Sequence, residues 1–244
     1  MELMDKRKIG VIFLVFLGLL LGLSFAKKGI YTQTLGINLV VVGDLKVSIL
    51  AIRPKEGVVN WTDLPSNLSV KVYKTGVFYP VVSLWKLGQA EKDQFNYVTK
   101  SITLATGLSL PKVIWVGKET SPESLLRALG NPVAQTNLSW RDRILIRKDL
   151  TNFVSAKKIV EIELPNAAIE KVIEPDGKEI VTFNSILALW NKNKFLVEAI
   201  LGEAISARIN NVSEVRGMGI LLSKELEAAG VRVVEVSSKD EPVK

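Results

Sequence analysis

The side chains of this chain that could handle phosphate or a hard cation are few and scattered. Asp44 follows a glycine, Arg53 ends an apolar run, and Arg141 and Arg143 stand two apart in Trp140-Arg-Asp-Arg143. Guanidinium groups suit phosphate because their planar donor forks match its oxygens, and a carboxylate suits a hard ion such as magnesium. Arg53, Arg141 and Arg143 are candidate ligand-binding residues on that ground, although nothing in their spacing requires it. A single carboxylate makes a poor magnesium site. Chemistry that needs imidazole or thiolate is excluded outright, because the chain has no histidine and no cysteine. Ser-His-Asp and Cys-His nucleophile pairs, His-ligated zinc and disulfide frameworks all fall with them. Catalysis, if there is any, belongs to carboxylates, Lys, Arg, hydroxyls or a hard metal ion.

Short motifs that look catalytic dissolve on their spacing. Ser83-Leu84-Trp85-Lys86 and Lys74-Thr75-Gly76 match two penicillin-binding signatures, but here K-T-G precedes S-x-x-K by a few residues instead of following it by a domain. Ser155-Ala156-Lys157-Lys158 fits S-x-x-K equally well, which shows how cheap the pattern is. Gly217-Met218-Gly219 has Leu222 where a dinucleotide loop needs its third glycine, and Val116-Gly117-Lys118-Glu119 lacks the upstream glycine and the hydroxyl of a phosphate loop. Four sequons, at Asn60, Asn67, Asn137 and Asn211, matter only in a glycosylating cell.

The elements that must position these residues begin with an uncharged run from Ile9 to Ala26. As a helix its eighteen residues extend about 27 Å, just enough to cross a bilayer. Residues 1–8 are then a cytoplasmic tail, 9–26 a transmembrane signal-anchor, and everything after Lys28 is extracytoplasmic. Ser24-Phe25-Ala26 is also a small-x-small triplet that a signal peptidase could cut, so cleavage after Ala26 stands as the alternative to a retained anchor. The chain carries a net charge of +7, but its Lys and Arg are spread along its length. An anionic lipid headgroup or a cell-wall polymer is a better-matched partner than nucleic acid, which an exported domain rarely meets. No cofactor is expected.

The whole sequence is 48% apolar, and the part after Lys28 is long enough for one or two real cores. Ile37 to Val42 and Leu45 to Ile52, separated by Gly43-Asp44, read as a hairpin, with further strands at Val58 to Trp61 and Ser69 to Tyr73. Ser83 to Leu108 has helical spacing and Pro111 to Val116 returns to strand. Ser121-Pro122-Glu123 starts a helix that stops at Gly130-Asn131-Pro132. Asn137 to Lys148 reads as a basic amphipathic helix capped by Ser139; its plain reading is a solvated face, its functional one a phosphate-binding surface. Lys158 to Leu164 predicts a strand, Pro175-Asp176-Gly177 a turn before the apolar run Ile180 to Trp190, and Asn191 to Lys194 a linker. The end of the chain reads as strand (Ala204 to Ile209), polar loop, helix (Met218 to Ala229, closed by Gly230) and strand (Val231 to Val236), with a right-handed crossover. The fold class expected is α/β: a layered mixed sheet with helices over residues 32–190, preceded by the membrane helix and followed by a small strand-helix-strand unit at 200–244.

The assembled pattern resembles the LytR-CpsA-Psr family. The resemblance is best from Ala207 to Val236, where Ile209-Asn210-Asn211 matches the family's Val-x-Asn-Gly/Ala-Thr strand end. Gly217, Leu222, Leu226, Gly230 and Val233-Val234 then fall at the marker positions of the LytR C-terminal domain. A second match runs through Gly43-Asp44, the strand Val47 to Ile52, Arg53-Pro54-Lys55-Glu56 and Leu64-Pro65-Ser66-Asn67, with Leu104 to Val116 resembling Leu-x-Gly-Ile-x-Ile-Asp-x-Tyr-x-x-Val. The resemblance implies transfer of a glycopolymer from a polyprenyl-pyrophosphate carrier to peptidoglycan, with arginines on the pyrophosphate and magnesium held by carboxylates. Ser66-Asn67 stands where the family has Arg-Asp after Ile-Pro, which removes a guanidinium and a carboxylate together. Phosphoryl transfer depends on neutralising charge in the transition state, so that loss costs orders of magnitude in rate. The expectation is a degenerate, non-catalytic binding or scaffold module, in which the resemblance leaves Asp44 as a candidate metal ligand; the alternative is an active, magnesium-dependent phosphotransferase whose arginines have migrated.

Overall fold

A computed structural model describes residues 29–192, 194–195, 200, 202–212 and 218–238. The run Ile9 to Ala26 and Gly217 lie outside the described residues, and among those described no helix is long and apolar enough to cross a membrane.

Strands β1 (Ile37–Gly43), β2 (Val47–Arg53) and β3 (Val58–Leu64) form an antiparallel meander about the expected Gly43-Asp44 turn. Strands β4 (Ser69–Lys71) and β5 (Phe78–Pro80) make a small separate hairpin. Strand β6 (Lys112–Gly117) pairs in parallel with β1, and β7 (Ile159–Glu161) in parallel with β3, giving a mixed sheet in the order β6-β1-β2-β3-β7. Every residue of β2 is buried, as a strand covered on both faces must be. On one face Val40, Val42, Ile49 and Ala51 pack with Leu84 and Trp85 of α1 (Leu84–Ala90) and Val98 and Ile102 of α2 (Gln94–Thr106). On the other, Leu39, Val41, Leu50, Ile52 and Trp61 pack with Leu125 of α3 (Pro122–Gly130) and Ile146, Leu150 and Phe153 of α4 (Trp140–Ser155). The result is the layered α/β arrangement expected from the strand and helix alternation.

Local signals placed most helix ends. Ser121 caps α3 with Pro122 at the first turn, and the Ser139 hydroxyl accepts the Asp142 N–H at the start of α4. Three expectations change. The helical stretch Ser83 to Leu108 is two helices, broken where Lys92 takes a positive φ of 54° so that α1 and α2 fold against each other. Gly88 sits at that closure; a Cβ there would lie 2.4 Å from Gln94 Cα. The run Ile180 to Trp190 divides into β9 (Glu179–Phe183), which pairs with β8 (Ile169–Ile173), and α5 (Ile186–Lys192), with Asn184 accepting the Ile186 N–H at the join. Asn191, expected in a linker, is buried and donates to the Thr106 carbonyl, so that stretch is bonded to the end of α2. Strands β10 (Ser206–Asn211) and β11 (Arg232–Ser238) pair in parallel around α6 (Met218–Ala229). Ala228 of α6 joins the core on the α1/α2 face.

Candidate functional site

Strands β2 and β3 place Ser48 opposite Asp63, on the face covered by α3 and α4. The loop after β6 is latched to the β1–β2 turn: the Asp44 N–H donates to Gly117 at 2.9 Å and the Leu45 N–H to Lys118 at 3.2 Å. That latch carries Thr120 to Ser48, hydroxyl to hydroxyl at 2.6 Å. A cleft of about 540 Å³ opens here, lined among others by Lys46, Asp63, Pro65, Ser66, Glu119 and Thr120. It lies at the carboxyl ends of the parallel pair β1 and β6, the position at which open α/β sheets hold ligands.

Asp63 is the centre of this site, and both of its carboxylate oxygens are taken. Oδ1 accepts the Ser48 hydroxyl at 2.6 Å and the Trp61 indole N–H at 2.8 Å, while Oδ2 forms an ion pair with Lys46. Burial pushes the Asp63 carboxyl up, but hydrogen bonds from Lys46, Ser48 and Trp61 together with the Lys46 charge outweigh it and hold the group below the usual carboxylate range. The donor set does not fit a magnesium ion. Among the described residues no three acidic side chains gather as a metal cluster, and Asp63 is already satisfied by protein donors. A bare anion fits no better, since Asp63 and Glu119 face a lining whose cation, Lys46, is paired.

The structure does not bring the sequence-predicted residues together. Asp44 is exposed in the turn beside this cleft. Arg53 lies at the opposite end of β2, about 20 Å away over six strand steps. It is 3% exposed, and its guanidinium donates to the carbonyls of Ile52 at 3.1 Å and Phe195 at 2.9 Å and to the Asn38 side chain at 2.5 Å. Burial pushes its pKa down, opposed by the nearby Glu56 charge. Arg143 is 5% exposed and ends α3: it donates to Leu129 at 3.1 Å and to Ala128 and Asn131, the carbonyls that the helix leaves without intrahelical partners. Its guanidinium also lies 4.8 Å from the Trp140 ring. Arg141 is exposed on the first turn of α4. Lys74 of the K-T-G motif pairs with Asp93 at 3.2 Å, well apart in role from any S-x-x-K serine.

Sequence reasoning missed Lys46, Ser48, Asp63 and Thr120. A signal was present for two of them. Ser48 interrupts an apolar run in β2, and extending the Gly43-Asp44 hairpin to a third strand places Asp63 opposite it. A second groove, about 560 Å³ between α2 and α6, is lined chiefly by Leu104, Leu110, Met218 and Leu221, with Lys100 and Glu225 as charged members. None of the predicted site residues lines it.

No family model matches the chain, and no curated protein does. Solved structures do. B. subtilis TagT shares 12% identity at a TM-score of 0.48, over 69% of this chain and 93% of that one. B. subtilis TagV shares 8% at 0.46, over 64% and 94%. The LytR-CPS2A-psr family protein YwtF (TagT) with bound octaprenyl pyrophosphate lipid shares 13% at 0.45, over 66% and 89%. The structures this chain is similar to are LytR-CPS2A-Psr proteins. At these identities the LytR-CPS2A-Psr likeness carries no residue's role across; roles here rest on the contacts described above.

Proposed function

We propose that the chain is a membrane-anchored, extracytoplasmic cell-envelope protein of LytR-CpsA-Psr type that binds or scaffolds in cell-wall glycopolymer attachment without catalysing the transfer. One observation supports the non-catalytic reading above others: in the cleft at the sheet's carboxyl end, the Asp63 carboxylate is closed by Lys46, Ser48 and Trp61, and Ser66 stands where the family resemblance calls for arginine. Of the arginines that would have to replace it, Arg53 and Arg143 are bonded to backbone carbonyls elsewhere, and Arg141 is exposed on the first turn of α4, at the end of the sheet opposite the cleft. A loose phosphoryl transition state needs free positive charge and a metal bridge, and this lining offers neither. The reading uses no cofactor. The ligands proposed are a polyprenyl-phosphate lipid or a wall polymer. Octaprenyl pyrophosphate, held by YwtF, and LIIa-WTA, to which TagT has been solved bound, supply suitable probes.

The test is a transfer assay with the full chain in detergent micelles, a polyprenyl-pyrophosphate-linked glycopolymer, peptidoglycan fragments and magnesium. The proposal expects no transferred product, with lipid or polymer retained by the protein. Magnesium-dependent product would establish the phosphotransferase instead.

A further inference from the structure

The chain enters the fold through a clasp on α4. Asp142, 1% exposed, accepts the N–H of Tyr31 at 2.9 Å and that of Ile30 at 3.3 Å. The Tyr31 hydroxyl, itself buried, donates to Asp149 two turns further along the helix at 2.6 Å. Gly29 is there because nothing larger fits: a Cβ at that position would lie 2.3 Å from an Asp142 oxygen. The polypeptide is therefore fastened to α4 from its first described residue.

Both ends of α4 lie at the same end of the sheet. Asn137, just before the helix, bonds the start of β6 through Val113 and Lys112, and Lys158, just after it, accepts the Val59 N–H at the start of β3. Lys55, Arg141, Lys157, Lys158 and Lys194 are exposed at that end, with Lys112 half-buried beside them. Among the described residues, Glu56 is the exposed carboxylate in the turns that carry them; Asp142 and Asp149 are turned inward. At the other end of β2, the exposed charges beside the cleft are mixed, with Asp44 and Glu119 against Lys118.

We infer that the basic end of the sheet is the face this protein lays against an anionic lipid surface, and that the Asp142 clasp holds it there. The inference rests on the proposed anchor at Ile9 to Ala26. Only Lys27 and Lys28 separate Ala26 from Gly29, and three Cα steps reach at most about 11 Å, so the clasped end cannot leave the headgroup region while the clasp is shut. Within a Debye length of an anionic leaflet, each exposed cation there is attracted. The cleft at Asp63 then opens about 20 Å further out, the length of β2, toward the wall and away from the bilayer.

The absence of cysteine makes the test clean, because Lys158→Cys and Lys118→Cys each place one spin label in the full chain. Both labelled chains are reconstituted into vesicles of phosphatidylcholine and into an equal mixture with phosphatidylglycerol, with a headgroup-tethered nickel chelate as relaxant. The label at 158 is expected to relax several-fold faster than that at 118, with the contrast larger in the anionic vesicles and smaller at high salt. Adding Asp142→Ala to the Lys158→Cys chain should shrink the contrast. Equal relaxation at the two sites, or the reverse order, overturns the orientation while leaving the envelope function standing. The same contrast in both lipid mixtures overturns the recognition of anionic lipid. A full chain that washes off the vesicles in carbonate overturns the anchor and this inference with it.

Discussion

The two ends of the central sheet use charged side chains in opposite ways. At the Arg53 end the buried ones are turned inward onto the backbone: Arg53 and Arg143 donate to carbonyls, and Asp142 accepts amide N–H groups. At the Leu64 end they are bonded to one another around an open cleft, as Lys46, Ser48, Asp63 and Thr120. Backbone groups at helix ends and chain entries have no alternative partner, so a buried charge bonded to them holds the fold together. The Lys46–Asp63 pair, half-exposed at the rim above the buried Ser48 and Thr120, is far less costly to rearrange. The buried charges of the first end are structural, its exposed lysines and Arg141 are left to face lipid, and the second end carries the open cleft.

The largest effect expected is at the clasp. Asp142→Ala removes two charge-assisted bonds to buried amides and should cost about 3 kcal/mol of unfolding free energy, with faster hydrogen exchange at Ile30 and Tyr31. Arg53→Met keeps the bulk but leaves the Ile52 and Phe195 carbonyls without their donor; about 2 kcal/mol should be lost in denaturant titration. At the cleft, Asp63→Asn should cost only about 1 kcal/mol near neutral pH. Because the folded Asp63 is depressed, its contribution is present above the unfolded value near 3.9 and is lost as pH falls through the lower folded value, so Asp63→Asn should flatten the acid limb of a Tm profile. Tyr31 works in the other direction. Burial raises its hydroxyl pKa, helped by the hydrogen bond and charge of Asp149, so its contribution is present below about pH 10 and is lost as pH rises beyond that. Melting Tyr31→Phe beside the parent from pH 8 upward should show a shallower alkaline decline in the variant. Arg141→Ala, exposed on α4, should change stability by less than about 0.5 kcal/mol.

How much of this was legible follows from sequence distance. The Gly43-Asp44 hairpin, the Ser121 and Ser139 caps and the strand-helix-strand end are governed by neighbours a few residues apart, and they form as read. The clasp joins residues 111 apart, and the Ser48–Thr120 contact 72 apart, so no local rule reaches them. Arg53 is the instructive case. At a strand end before Pro54 it reads as a cation free to meet phosphate, yet the partner that engages it, the Phe195 carbonyl, arrives from 142 residues downstream. The Lys92 break between α1 and α2 went unseen although Glu91-Lys92-Asp93-Gln94 interrupts the apolar spacing there. The resemblance at Leu64-Pro65-Ser66-Asn67 did mark the end of the sheet where the cleft lies, although its polar centre sits one residue earlier, at Asp63.

The central claim is that the Leu64 end is neutralised by its own side chains and lacks the charge that holds a pyrophosphate. Calorimetric titration of a short-chain polyprenyl pyrophosphate, with and without magnesium, into the parent chain and into the double variant Ser66→Arg, Asn67→Asp tests it most directly. The account predicts magnesium-dependent binding by the double variant, and for the parent a titration that magnesium leaves unchanged. Magnesium-dependent binding by the parent at the same affinity would contradict it and return the cleft to catalysis.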